Sequence, residues 1–399
     1  MDPTAADVAI IALIVGLRFL VPLLIPLYPL PAVLACLVID AVDQTVFQTQ
    51  LSAGFWLRIE DGYQGYDKAL DVYYLSLAYL SMFRNWDNQT AFRVGRFLLL
   101  YRLSGSALFE SLHTADDPSS WRWLLLVFPN TFEYFFIAYE AFRIRWDPRR
   151  IAPRAVLLAA AFIWIVIKLP QEWWIHLAQL DFTDFADDHP WVLPTLYALA
   201  AAAIIGFRWA MTHVLPRPDW ALRLAAGPIP SEVDDADKRD RYRAAMWKTL
   251  SWRTVEKTAL VTLITIVFAA ILPNDNATPT QIALGSAVFV VLNSAAGLWL
   301  YRRSWSLQIG VLQFAVVVAL NIGFVEIFDL LSVRFESRDP AFFVLLLSLI
   351  VTLYDRYRPI YEVRVYNGDF DYVPPPPVYP GTFGNGPSRS DGRRPEVPR

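Results

Sequence analysis

Long apolar runs alternate with short polar stretches along most of the chain. The hydrocarbon core of a bilayer, about 30 Å thick, is crossed by roughly 20 residues of α-helix. Lipid offers no partners to backbone N–H and C=O groups, and the runs lack the alternating pattern that is typical of a membrane barrel. We therefore predict an all-α fold, a polytopic transmembrane helix bundle of about eleven spans. The predicted spans lie at 8–30, 31–50, 67–84, 94–112, 121–143, 153–171, 190–212, 254–273, 281–301, 307–328 and 340–355.

Composition supports this prediction. Of the 399 residues, 55% are apolar and 18% are charged, and the mean hydropathy is +0.34, which is too high for a soluble globular chain. A net charge of -3 gives no indication of a nucleic-acid partner, so membrane lipids are the partners that composition implies. The single cysteine, Cys36, excludes a disulfide framework and a cysteine-based metal site.

Basic residues are concentrated in alternate loops, whereas the other loops contain few of them. By the positive-inside rule the basic loops lie in the cytoplasm. The N-terminus is then outside and the C-terminus inside, and we predict a multi-pass protein of the cell membrane. The basic loops are found at 84–96, 143–154, 217–248, 302–303 and 356–358.

Polar segments divide the chain into five predicted parts. The connector contains a predicted surface helix from about Glu232, with Ser231 as its N-cap. The tail is rich in proline, glycine and charge, which favours disorder, and its four consecutive prolines favour a polyproline segment that acts as a spacer or docks an unidentified protein partner. The parts are a front transmembrane half (1–175), an outer interfacial segment with the seventh span (176–213), a cytoplasmic connector (214–253), a back transmembrane half (254–366) and the cytoplasmic tail (367–399).

Four aspartates stand out in the front half. Asp40 and Asp43 are three residues apart in the second span, and Asp67 and Asp71 are four residues apart at the predicted start of the third, so each pair shares one helix face. An ionised group at the centre of a span costs roughly 2.5–3.5 kcal/mol, which favours a shared hydrated pocket or a bound cation. Clustered carboxylates are the hard oxygen ligands that Mg²⁺ or Mn²⁺ requires, so we predict all four as metal ligands.

Other polar residues of the front half are predicted to line the same outward-facing pocket or to form ion pairs. Arg18 lies at a depth where it can face Asp40, and Arg102 and Glu133 are both central in their spans. Asn130, Glu172 and His176 complete the predicted set. For any one of these residues, a structural ion pair or a helix cap remains the alternative interpretation.

The two acidic pairs resemble the motif of the CDP-alcohol phosphatidyltransferases, in which D-x-x-D ends one helix and D-x-x-x-D opens the next. This resemblance implies that Asp40, Asp43 and Asp67 bind two metal ions and that Asp71 is a ligand or the general base. It covers about residues 18–71. The glycine and the Ala-Arg pair that bind nucleotide in that family are replaced here, by Gln44 and by Phe47-Gln48.

Three functions remain open at this stage. The first is a metal-assisted transferase or hydrolase that acts on a lipid or polyprenyl-phosphate head group, with Asp71 accepting a proton from the attacking hydroxyl. The second is a cation- or proton-coupled transporter that uses the same carboxylates. The third is a membrane scaffold without chemistry. The chain lacks the GxxxxGK[ST], HExxH and GxSxG motifs, which excludes P-loop ATPases and two common types of hydrolase.

Overall fold

The computed structural model of the protein describes residues 4–112, 121–178, 189–213, 217–230, 233, 252–271, 315, 318–319 and 340–366. Within these ranges every regular element is helical, which confirms the predicted all-α class. The main helices are α1 (Ala5–Leu20), α2 (Pro29–Gln50), α3 (Ala53–Asn85), α4 (Gln89–Leu112), α5 (Trp123–Val127), α6 (Thr131–Arg143), α7 (Pro153–Leu177), α8 (Val192–His213), α9 (Trp252–Ile271) and α10 (Pro340–Tyr366).

Three of the described helical segments are long and apolar enough to cross a membrane: Ala5–Leu24, Pro29–Gln50 and Pro153–Leu177. These segments mark the chain as a membrane protein. The predicted spans 281–301 and 307–328 lie outside the described residues, apart from 315, 318 and 319, as do most of the predicted surface helix and the whole tail. The number of spans and their orientation therefore stay predictions.

The third helix begins earlier than the sequence pattern suggested. We predicted its start at Asp67, but α3 already begins at Ala53, so Asp67 lies about 21 Å along the helix axis from its first residue. No proline interrupts this stretch, and the glycines at 62 and 65 are accommodated within the helix. The prediction that the third helix begins at Asp67 is therefore wrong.

The predicted span 121–143 is also wrong as a single helix. It consists of the short helix α5 and the longer helix α6, and Pro129 lies in the break between them. On the α4 side of this corner, Gly105 approaches so closely that a Cβ atom there would be 2.1 Å from the Cβ of Phe128. The break leaves Asn130 as the N-cap residue of α6 and Glu133 in its first turn.

The core is built around α3, which packs along α10, while α9 packs along α4. Aromatic rings fill the space between these helices. Phe83 of α3 contacts Phe92 of α4, with 5.1 Å between ring centroids, and Phe92 stacks on Tyr361 of α10 at 4.0 Å. Tyr79 and Trp86 of α3 are fully buried in the same layer. The back of the chain is thus joined to the front by an aromatic core.

Several predicted cytoplasmic loops meet at one end of the bundle. The backbone N–H of Ala226 donates to the Leu27 carbonyl at 2.7 Å, and the amide of Asn88 donates to the Pro148 carbonyl at 2.9 Å. Arg364, at the end of α10, donates to the carbonyl of Pro228 at 2.9 Å. These hydrogen bonds bring parts of three predicted loops, 84–96, 143–154 and 217–248, together with other segments at this end.

Candidate functional site

The guanidinium of Arg18 contacts all four aspartates. Its Nη2 atom lies 2.5 Å from Oδ1 of Asp40 and 2.6 Å from Oδ1 of Asp71, and its Nη1 atom donates to Asp43 and Asp67. Arg18 itself is buried within the bundle. The predicted pairing of Arg18 with Asp40 is present, and it is part of a larger cluster of one cation and four anions, which we call the aspartate pocket.

Helical periodicity explains how the sequence builds this pocket. Asp40 and Asp43 lie nearly one turn apart on α2, and Asp67 and Asp71 lie one turn apart on α3, so each helix presents two carboxylates on one face. The N-terminal part of α1 is tied to the α2–α3 turn, because Asp7 accepts a hydrogen bond from the backbone N–H of Ser52 at 3.0 Å. The predicted convergence of the four aspartates is observed.

Asp43 differs from the other three aspartates. It is 3% exposed, and its carboxylate accepts hydrogen bonds from Arg18 and from the hydroxyl of Tyr63, the latter at 2.5 Å. Tyr63 also accepts from Arg18 Nη1 at 3.2 Å. Tyr63 was not among the predicted site residues, although it lies one turn before Asp67 on the same helix face. Asp43 and Tyr63 together hold the guanidinium in place.

Asp40, Asp67 and Asp71 form the more open side of the pocket. Their side chains are 41%, 39% and 46% exposed, and one oxygen atom from each lies within 4.8 Å of the others. Arg18 donates a hydrogen bond to a single oxygen of each of these carboxylates. Oxygen ligands bind Mg²⁺ or Ca²⁺ at about 2.0–2.6 Å, so three carboxylates at this spacing fit around one divalent cation.

The charge of the aspartate pocket also favours a cation. If all four aspartates are ionised, the single guanidinium leaves three negative charges without a counterion among its direct contacts. Repulsion between carboxylates this close is relieved by a cation or by protonation. The donor set therefore fits a hard divalent ion, with Arg18 already compensating part of the charge.

A narrow cavity extends from the aspartate pocket into the bundle. Its lining includes Arg18, Cys36, Asp40, Asp71 and Tyr74, and its volume is about 10 Å³, enough for about one water molecule. Tyr74 lies between this cavity and a second polar cluster, since its hydroxyl donates to Oε1 of Glu133 at 2.9 Å.

The second polar cluster forms at the break between α5 and α6. The side-chain amide of Asn130 donates to Oε2 of Glu133 at 2.9 Å, and the backbone N–H of Asn130 donates to Glu172 at 3.1 Å. Glu172 is buried and lies 3.1 Å from Nε2 of His176, one turn along α7, and 3.7 Å from the ammonium group of Lys168. These predicted pocket residues do come together, but around Asn130 rather than around Arg18.

The predicted ion pair between Arg102 and Glu133 is wrong. Arg102 donates to the carbonyl of Phe128 at 3.0 Å, and Glu133 accepts from Tyr74 and Asn130 instead. The reason is the break at Pro129, which exposes a backbone carbonyl that no intrahelical N–H satisfies. A continuous helix, as the apolar pattern suggested, would not offer that acceptor.

A third polar cluster joins the two halves of the chain and was not predicted. Arg358, predicted to lie in a cytoplasmic loop, is buried within α10 and donates from Nη1 to Glu256 of α9 at 2.7 Å. Glu256 also accepts from the hydroxyl of Tyr79 and lies 3.8 Å from Arg96. Arg358 further donates from Nε to Glu362 at 3.0 Å. Only the folded arrangement reveals this cluster, because Arg358 and Glu256 are far apart in the sequence.

Comparisons with protein-family models, with curated proteins and with solved structures find no match for this chain. The resemblance to CDP-alcohol phosphatidyltransferases therefore stays a prediction that depends on the spacing of four aspartates. The function of the aspartate pocket is therefore inferred from the chemistry of its residues.

Proposed function

We propose that the chain is a multi-pass protein of the cell membrane that holds a divalent cation, Mg²⁺ or Mn²⁺, in the aspartate pocket. The cation serves a transferase or hydrolase reaction on the phosphate head group of a lipid or polyprenyl substrate. The observation that carries this proposal is the spacing of Asp40, Asp67 and Asp71, whose oxygens lie within 4.8 Å of one another on the open side of the pocket. Asp43, buried against Tyr63, holds Arg18 and is the least accessible of the four predicted ligands.

Each residue of the pocket has a separate task in this proposal. A bound divalent cation would neutralise charge on the phosphate oxygens of the substrate. Arg18 fixes the carboxylates through one oxygen each. Asp71 accepts the proton of the attacking hydroxyl through its other oxygen, while that hydroxyl oxygen bonds to phosphorus and the bond from phosphorus to the leaving group breaks. Asp40 and Asp67 keep the cation next to this carboxylate.

Asp71→Asn is expected to weaken Mn²⁺ binding by about tenfold or more, because it removes one of three anionic ligands. The measurement is calorimetric titration of the purified full-length protein with MnCl₂, followed by an assay of phosphate release from lipid phosphates. Asp87→Asn is a matched control, since the Asp87 side chain is 38% exposed and lies 3.6 Å from Arg364, far from the pocket. Absence of Mn²⁺ binding in the unmodified protein, or equal binding by both variants, would contradict the metal site.

One observation favours transport as a second candidate function. The break between α5 and α6 puts Asn130 and Glu133 at interrupted helix ends, an arrangement that transporters use for ion sites. Tyr74 connects Glu133 to the cavity beside Asp71. If the protein transports cations or protons, Asp40→Asn should abolish cation-dependent uptake into proteoliposomes, and Asp87→Asn should retain it. Uptake that is equal in both variants would remove this candidate.

A further inference from the structure

An apolar groove runs along the outer side of α1, between that helix and the start of α10. Its volume is about 510 Å³, which falls in the range of small-molecule binding sites. The groove is open along its length, and its walls are almost entirely apolar. Its principal lining residues are Val8, Ala12, Gly16 and Phe19 of α1 and Phe342 and Leu345 of α10.

Among the residues that the structure describes, no side chain fills the space beside Gly16. A Cβ atom at Gly16 would meet nothing within 4 Å, whereas one at Gly95 would lie 2.7 Å from Met82. Gly16 and Ala12, one turn apart on α1, are the smallest residues in the lining, so this wall leaves room for an apolar molecule. In a bilayer the substance available to fill an apolar groove is hydrocarbon.

The groove adjoins the aspartate pocket on both of its walls. On α1, Phe19 directly follows Arg18 and stacks on Tyr73 of α3, with 5.6 Å between ring centroids. On α10, Phe342 lies 5.2 Å from the ring of Tyr66, the residue before Asp67. A molecule in the groove would therefore have one end beside the charged cluster and the rest against apolar side chains.

The length of the groove identifies the kind of hydrocarbon. From Val8 to Phe19 the lining of α1 extends over about 16 Å, which is roughly half of the 30 Å hydrocarbon core of a bilayer. One leaflet is also the length of one phospholipid acyl chain. The α1 segment Ala5–Leu24 has a mean hydropathy of 2.3 and is one of the helices able to cross a membrane.

We propose that this groove binds one acyl chain of a phospholipid whose phosphate head group lies at the aspartate pocket. The assignment of the head group rests on the proposed function, whereas the binding of the chain does not. The phosphate carries the negative charge that a cation held by three carboxylates would attract, and the length of the groove suits one acyl chain within one leaflet. Phe19 and Phe342 mark the end of the groove that is nearest to the reacting group.

The test uses the purified full-length protein in detergent with a phosphatidylglycerol that carries a photoreactive diazirine near the end of one acyl chain. After illumination, mass spectrometry locates the crosslinked peptides. We expect adducts on residues 8–19 and 342–345. Gly16→Leu should reduce them at least about fivefold by filling the groove, and Ala12→Leu, one turn away, should act in the same direction. Leucine favours helix over glycine, so the Gly16 substitution does not threaten α1.

Gly206→Leu is the matched control, because Gly206 of α8 also has open space around it but does not line the groove. It should leave the crosslinking unchanged. The proposal is overturned if Gly16→Leu and Ala12→Leu, recovered as monodisperse protein, crosslink as well as the unmodified chain. It is equally overturned if adducts are as frequent on the exposed face of α7 around Leu157 and Leu158.

Binding of Mn²⁺ to the same preparations separates this inference from the proposed function. The Gly16→Leu variant should bind Mn²⁺ as well as the unmodified protein but should no longer be crosslinked to the lipid. The Asp71→Asn variant should no longer bind Mn²⁺ but should still be crosslinked to the lipid. Adducts at the groove in a protein that binds no metal would support the acyl-chain site and contradict the proposed reaction. Metal binding without adducts at the groove would contradict the acyl-chain site alone.

Discussion

Replacement of Arg18 by methionine is expected to lower the free energy of unfolding by about 3–5 kcal/mol, because removal of one partner from a buried ion cluster leaves the other partners uncompensated. Asp43 is the residue most affected, since it is 3% exposed and has little access to water. Net stabilities of proteins are only about 5–15 kcal/mol, so a large part of the variant should fail to fold. The measurements are the yield of monodisperse protein on size-exclusion chromatography and the thermal unfolding midpoint.

Arg149→Met serves as the control for this prediction. The side chain of Arg149 is 68% exposed and pairs with Asp147 at 2.9 Å, an exposed arrangement that typically contributes less than about 1 kcal/mol. If Arg18→Met is as stable as Arg149→Met, the aspartates do not depend on the guanidinium. Mn²⁺ should partly restore the stability of Arg18→Met, because the same carboxylates then have another cation; no restoration would weaken the metal proposal.

Arg358→Met is the second substitution for which we expect a large effect, again about 3–5 kcal/mol of unfolding free energy. It leaves the Glu256 side chain, which is 1% exposed, without its closest cation, and it removes the hydrogen bond from Arg358 to Glu362. Because this cluster joins α9 and α10 to Tyr79 of α3, the loss should loosen the back of the chain from the front. Limited proteolysis and the unfolding midpoint measure both effects.

Two comparisons make the Arg358 prediction specific. Arg356→Met, two residues earlier on the same helix, changes an exposed side chain and should alter stability by less than about 0.5 kcal/mol. The double variant Arg358→Met/Glu256→Gln should be more stable than the sum of the two single changes predicts, because the neutral amide no longer requires a counterion. Strict additivity would mean that the two side chains do not interact energetically.

The two acidic pairs of the aspartate pocket could be predicted from sequence, because helical periodicity puts both members of each pair on one helix face. Spacings of three and four residues put Asp40 with Asp43 and Asp67 with Asp71 on single helix faces, whatever the exact helix boundaries are. The role of Arg18 was only partly predictable. The predicted depth of Arg18 in the membrane suggested a pair with Asp40. The contact with all four aspartates depends on the planar guanidinium group, which has several N–H donors, and on the packing of α1 against α2 and α3.

The break between α5 and α6, the start of α3 and the pairing of Arg358 could not be predicted, because the spacing of apolar residues contains no information about them. The hydropathy of residues 121–143 continues across Pro129, so one span was predicted where two short helices occur. The early start of α3 was missed because its first turns are polar and contain three glycines, a composition typical of a loop, although they contain no proline. The pairing of Arg358 with Glu256 depends on the docking of α9 against α10, which a local pattern cannot report.

The position of Arg18 has a consequence for how ions would exchange at the aspartate pocket. In small metal-dependent domains such as zinc fingers, folding and metal loading are one event, and chelation unfolds the chain. Here the chain carries its own permanent counterion, attached to one oxygen of each carboxylate. If a cation binds there as proposed, the scaffold can form before the ion arrives and persist after it leaves, so that loading and discharge would be reversible.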